Sequence, residues 1–213
     1  MRIRIALIVL IVVTVSVTGW GSYWIAADIV ESHAMKSGQE NLAKSVQVLD
    51  NDLRRIAISV MTLMISDAFK DLMRDVSLGS SERYASHMTA LQTLFAQMKQ
   101  IEPMTHTVLV STPIGEFYNT GYARNPNVPF IGSDIHRKLE EERGTMWIAG
   151  HEDPFFTDRE RVVSLVLEPI TDQNVRDVYI LVNISEDGLV ESVRANMGQE
   201  AGDLVLLDEA GRE

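Results

Sequence analysis

The sequence predicts an α+β protein, in which one very long N-terminal helix leads into an antiparallel sheet with helices on one side. Three observations carry this. Ile5 to Ala27 is a run of 23 residues without a charge. From Asp28 to about Leu78 there is no proline, and the only glycine is Gly38. From Thr107 onward, short runs rich in Val, Ile and Leu alternate with turns built from Gly, Pro, Asn and Asp. The first two are helix signals and the third is a hairpin signal.

At 1.5 Å per residue the uncharged run makes roughly 34 Å of helix, enough for a bilayer core of about 30 Å. Arg2 and Arg4 precede it and Asp28 follows. That asymmetry predicts a cytoplasmic stub at 1–4, a transmembrane helix at 5–27 and everything later on the outside, in the cell membrane. Trp20, Tyr23 and Trp24 fall where amphipathic rings favour headgroups. The competing reading is a cleaved signal peptide. Its apolar region would span about 7–15 residues and end at small residues, whereas this run is longer and leads into aromatics, with Ala26-Ala27 the nearest approach to a cleavage site.

The formal net charge is -11, and from Asp28 onward 17 Lys and Arg face 30 Asp and Glu. Such a surface repels nucleic acid and anionic lipid. The absence of cysteine removes disulfides, thiolate metal sites and cysteine nucleophiles. About 186 residues follow the run, enough for one domain with a core.

Residues 28–78 read as a stalk helix. Leu42, Val46, Leu49, Leu53, Ile56, Val60 and Leu63 are spaced alternately four and three apart, an a/d seam. The seam fits a homodimer, and it equally fits one amphipathic helix packed on its own domain. Gly79-Ser80-Ser81 predicts a stop and a new N-cap, followed by a helix bearing Tyr84, Met88, Leu91, Phe95 and Met98 on one face. Strands are expected at 107–111, 117–120, 146–149, 161–170 and 178–184. Ser133 or Asp134 caps a helix ending near Arg143, and Ser185 caps another closing at Gly198. Asp172-Gln173-Asn174 is the turn of the last hairpin. The sensor domain proper spans 79–198. Gly202 to Gly211 reads as a strand and turn without a partner, which predicts a parent protein that continues.

The chain resembles the extracellular Cache-type sensor region of bacterial membrane histidine kinases, particularly the YesM-like group found with AraC-type regulators. The matching features are the charged stub and span, the stalk, and Trp147 before a Pro/Phe-rich segment. Val163-Ser164-Leu165 leading to Pro169-Ile170-Thr171-Asp172 matches as well, as does Val178 to Ser185 entering a helix. Residues 199–213 resemble the opening of a second Cache subdomain. The resemblance implies a PAS-like sheet on a helical stalk, in which binding shifts the stalk and a second membrane helix carries the shift to a kinase. Chemoreceptors and diguanylate cyclases carry the same module. An exported enzyme or adhesion domain anchored by the span is the alternative from another class.

Tyr118, Trp147, His151, Asp153, Phe155 and Phe156 are the candidate ligand-binding residues, since they combine flat apolar faces with a few polar groups. The competing reading makes Trp147 and Phe155 core and His151 exposed loop. Cache domains that bind free amino acids show an Arg two residues before the Trp, an aromatic just after it and an Asp ending the last strand. Here those positions hold Thr145, Ile148 and Asn183. The resemblance therefore favours a sugar-like ligand or a binding protein over an amino acid. No catalytic residues and no cofactor are expected. No metal is expected either, because the adjacent His151-Glu152-Asp153 cannot supply a full ligand shell.

Overall fold

The computed structural model describes residues 2–142, 144–170 and 175–197. Its elements are α1 (Arg2–Ile65), α2 (Asp67–Ser77), α3 (Tyr84–Ile101), β1 (Thr105–Thr112), β2 (Gly115–Tyr118), α4 (Asp134–Glu142), β3 (Thr145–Glu152), β4 (Arg161–Leu167), β5 (Tyr179–Ser185) and α5 (Glu186–Met197). The chain forms two compact units that divide within α1, the first reaching Val46 and the second starting at Gln47.

The first unit corrects the membrane expectation. Among the described residues, no helix is long and apolar enough to cross a membrane. The single-span cell-membrane placement with the sensor outside is therefore not supported. Thr18 bonds back to the Thr14 carbonyl at 2.8 Å.

In the second unit, α1 stops at Ile65 instead of running to Leu78. Ser66 takes an extended conformation (φ -65, ψ 150), and its hydroxyl accepts from the Phe69 N–H, opening α2. At the far end Gly79 is left-handed (φ 62). Its N–H and that of Ser80 bond to Val76 and Asp75 carbonyls, closing α2 where glycine was expected to stop a helix. No serine side chain caps α3; Arg83 stands at that position without a capping bond. Its guanidinium instead grips Asp75 at 2.7 and 2.8 Å, and His87 Nε2 lies 2.7 Å from the same carboxylate. Arg83 first, and His87 second, hold the Asp75 carboxyl down at about 2.

The five strands form one antiparallel sheet in the order β2-β1-β5-β4-β3. Period-two alternation assigns each face. In β5, Ile180, Val182 and Ile184 enter one apolar cluster while Tyr179 and Leu181 enter the other. The first cluster joins them to Val108, Val110, Leu165 and Leu167 and to α1–α3 through Ile56, Val60, Phe69, Leu72, Leu91 and Phe95. Fully burying each such side chain contributes about 1.5–3 kcal/mol. Ile56, Val60 and Leu63 of the seam thus lie in the domain's own core, and Leu49 and Leu53 pack partly against it. Leu42 and Val46 are exposed.

The opposite face is covered as well, so helices are not confined to one side. Ile135 and Leu139 of α4 pack there with Leu109, Phe130, Met146, Phe155, Phe156, Val166, Tyr179 and Leu181. This α+β layout, a long helix against a five-stranded antiparallel sheet, fits the PAS-like fold that the resemblance implies. The turn at 172–174 and the final strand at 202–211 lie outside the described residues.

Candidate functional site

On the α4 side a transverse polar row crosses the three central strands of the sheet. Register places Thr107 of β1 beside Asn183 of β5, and Asn183 beside Ser164 of β4. All three are buried. They form a continuous chain in which Ser164 donates to Asn183 Oδ1 at 2.5 Å and Asn183 Nδ2 donates to Thr107 Oγ1 at 2.9 Å. Each sits where the strand pattern calls for an aliphatic residue. A polar group placed there is stable only when its bonds are made.

The partner that completes the row comes from the segment between β3 and β4. Asp153 is 0% exposed, and its Oδ2 accepts from Asn183 Nδ2 at 2.5 Å and from Thr107 at 3.3 Å. Its Oδ1 accepts from the Phe155 N–H at 2.8 Å. Burial pushes this carboxyl above the ordinary carboxylate range, while the bonds from Phe155, Asn183 and Thr107 pull the other way. No guanidinium or ammonium is bonded to it among the described residues. Arg124, the buried cation of the same layer, is taken by Glu116 at 2.7 Å and by the carbonyls of Asn125 and Phe155.

Around this polar row stand aromatic walls. Phe155 and Phe156 are fully buried; Phe130 lies 5.6 Å from Phe155 and Tyr118 6.1 Å from Phe156, centroid to centroid. The roof is stitched down by Asn125 N to Phe155 O (2.8 Å), Thr157 N to Ala123 O (3.0 Å) and Asp153 N to Glu160 O (2.9 Å). Gln92 ties the end of β2 to α3 through the Tyr118 carbonyl.

Of the six candidates, Tyr118, Asp153, Phe155 and Phe156 come together in this layer. His151 reaches its rim: Nε2 lies 3.4 Å from Ser164 Oγ, and Nδ1 bonds the Ala149 carbonyl at 2.9 Å. Trp147 stands elsewhere. It pairs with Leu165, whose side chain belongs to the first cluster, so the indole is on the other face and 42% exposed. Sequence reasoning thus picks out the roof and misses the floor. Thr107 and Ser164 carry a usable signal, a polar residue at the inward position of an aliphatic strand.

A groove of about 510 Å³ lies away from this row, where α1, the end of α3 and α5 meet. Its cation is already matched: Arg55 pairs with Glu102 at 2.9 Å and Asp52 at 3.5 Å, and Ser192 donates to Asp52 at 2.8 Å. What the polar row offers is different, namely neutral donors and acceptors beside aromatic planes and one carboxylate without a counter-cation.

No family model matches the chain, and no curated protein does. Among solved structures, it is similar to the ligand-binding domain of the Campylobacter jejuni chemoreceptor Tlp3, a complex with 4-methylisoleucine, at a TM-score of 0.41 and 8% identity. The similarity covers 70% of this chain and 62% of that one, so the chain spans less than two thirds of that domain.

Proposed function

We propose that this chain is the sensory input region of a two-component histidine kinase, and that it binds a small hydroxyl-rich, sugar-like ligand on the α4 face of its sheet. The observation that carries the reading is the buried Thr107–Asn183–Ser164 row, completed by Asp153 and walled by aromatics. A packed core has no need of such a row, because aliphatic side chains would fill those positions without the desolvation of polar groups. Transmission follows from the strands. Asn183 faces the row, while its neighbours Val182 and Ile184 face the cluster that holds Ile56, Val60 and Leu63 of α1. A ligand that favours one placement of β5 therefore biases α1, by as much as it binds the two placements differently. The kinase output rests on the resemblance through Val163-Ser164-Leu165 and Val178 to Ser185, and a homodimer through Leu42 and Val46 belongs to the same proposal.

The test is calorimetric titration of the chain with a panel of sugars, polyols and amino acids, repeated on Asn183→Leu. Saturable binding of a sugar or polyol, lost in N183L while far-UV circular dichroism is kept, supports the reading. Binding of amino acids alone, or binding indifferent to N183L, overturns it.

A further inference from the structure

A second constellation lies at the edge of the same loop and takes no part in the row. The pairing of β1 with β5 slips between Thr105 and Thr107, so His106 falls at the irregularity and its side chain is re-aimed out of the ladder. Its ring is only 7% exposed, with the Tyr122 ring against it at 4.4 Å between centroids. Asp158 and Glu160 approach from the segment before β4, on either side of Arg159, whose left-handed backbone (φ 51) lets both carboxylates turn toward one ring. Asp158 Oδ2 is 2.9 Å from His106 Nε2, and Glu160 Oε2 is 3.1 Å from Nδ1. Ser185 Oγ fixes the other Glu160 oxygen at 2.8 Å.

We propose that His106 and Asp158 bind a divalent transition-metal ion of the zinc class, with Glu160 positioning the ring, and that the ion clamps the 153–160 segment onto β1. Carboxylate oxygens bring only lone pairs. A neutral imidazole has one N–H and one lone pair, so one of its two contacts sets lone pair against lone pair unless a proton or a cation lies between. Both contacts are at hydrogen-bond spacing, 2.9 and 3.1 Å, so a cation enters only as the Asp158 contact opens. Zinc–nitrogen and zinc–oxygen bonds of about 2.0–2.2 Å at a tetrahedral angle put the two ligand atoms roughly 3.4 Å apart. The observed 2.9 Å between Nε2 and Asp158 needs an opening of about 0.5 Å, within reach of a carboxylate that is 37% exposed. Glu160 then accepts the Nδ1–H, the carboxylate–histidine–metal arrangement that fixes tautomer and ring orientation. All three groups present ligand atoms within 4.8 Å of one another. Imidazole with carboxylate suits zinc, cobalt or nickel, and a chain without cysteine has no thiolate to draw the ion elsewhere. This proposal stands apart from the sugar reading, since it uses neither Asn183 nor Asp153.

The experiment takes the full chain, cleared of metal by chelator, and titrates it with Zn²⁺ calorimetrically and with Co²⁺ by visible absorption. Hydrogen exchange is followed at residues 153–160. One equivalent of Zn²⁺ should bind, and the amides of 153–160 should become more protected. His106→Ala and Asp158→Asn should each weaken binding by at least about tenfold, Glu160→Gln by less, and His33→Ala, at an exposed histidine of α1, should leave it unchanged. D158N changes an exposed carboxylate and keeps the test valid if H106A does not fold. Absence of saturable binding at millimolar Zn²⁺, or equal binding in D158N, overturns the site. Binding without added protection of 153–160 is an adventitious ion only and overturns the clamp.

Discussion

The two faces of the sheet are built from the same five strands and made to different specifications. The face toward α1–α3 is aliphatic, and its strand residues meet helices whose own side chains continue the same cluster. The face toward α4 meets one short helix and loop segments; its cluster is richer in aromatic rings, and the polar row runs through it. A helix presents a regular ridge that aliphatic residues fill at high density. A loop presents irregular backbone, so large flat rings span the gaps and buried polar groups must be satisfied one by one. The difference teaches that stability rests mainly on the helix face, and that the ligand proposed for the loop face would have to replace bonds already made there.

The strongest test of that division is Leu165→Ala on the helix face. Leu165 is 1% exposed in the first cluster, and truncation should cost about 2–5 kcal/mol, seen as a lower midpoint in urea unfolding. If the faces are divided as described, L165A that remains folded keeps its ligand affinity within a few-fold. A loss below about 1 kcal/mol would mean the helix face is not the dominant core.

Asp153→Ala probes the loop face and should cost less, about 1–3 kcal/mol, because it removes one of the two acceptors of Asn183 Nδ2 and the acceptor of the Phe155 N–H. The pH dependence sharpens the comparison. Burial raises the folded-state pKa of Asp153, so the contribution of its protonated form is complete below the ordinary carboxylate range. It is lost as pH rises through the raised value. Urea midpoints across that window should therefore fall with pH in the wild type and stay flatter in D153A. A parallel fall in both would assign the slope to another group.

Most of the helix face was legible in the sequence and much of the loop face was not. Alternation along Tyr179–Ser185 and Arg161–Leu167 is enough to place strands and sort their sides. The break at Ser66 was not legible, because no proline or glycine marks it and only a hydroxyl capping Phe69 N makes it. Trp147 stands apart from the other candidates: aromatic character singled it out, while its alternation with Met146 and Ile148 puts it on the other side. The row and the His106 cluster join residues from three separate segments, and spacing along the chain cannot show that. The uncharged run was read as a membrane span, which no helix of the described residues supports.

A third effect is confined to acid and belongs to the helix face. Arg83 and His87 hold the Asp75 carboxyl at about 2, below its ordinary value near 4. A depressed carboxylate contributes stability that is complete above the ordinary value and is lost as pH falls toward 2. The wild type should therefore lose thermal stability between about pH 4 and pH 2, and Asp75→Asn, already lacking the ionised clamp, should lose less over the same interval. Equal losses would show that the junction of α2 and α3 does not govern the acid limb.

The smallest effect expected is at Trp147, and it separates location from residue type. A tryptophan in the core would cost about 3–5 kcal/mol on truncation to alanine. Trp147 lies on β3, the edge strand, 42% exposed and on the face away from the polar row. Trp147→Ala should shift the unfolding free energy by no more than about 1 kcal/mol, through lost edge packing alone. It should leave titrations with both sugar and zinc unchanged. A large loss of ligand binding in this variant would place the site on the helix face and reverse the assignment of the two sides. A large loss of stability with binding intact would instead show that the edge of β3 is covered in the working protein.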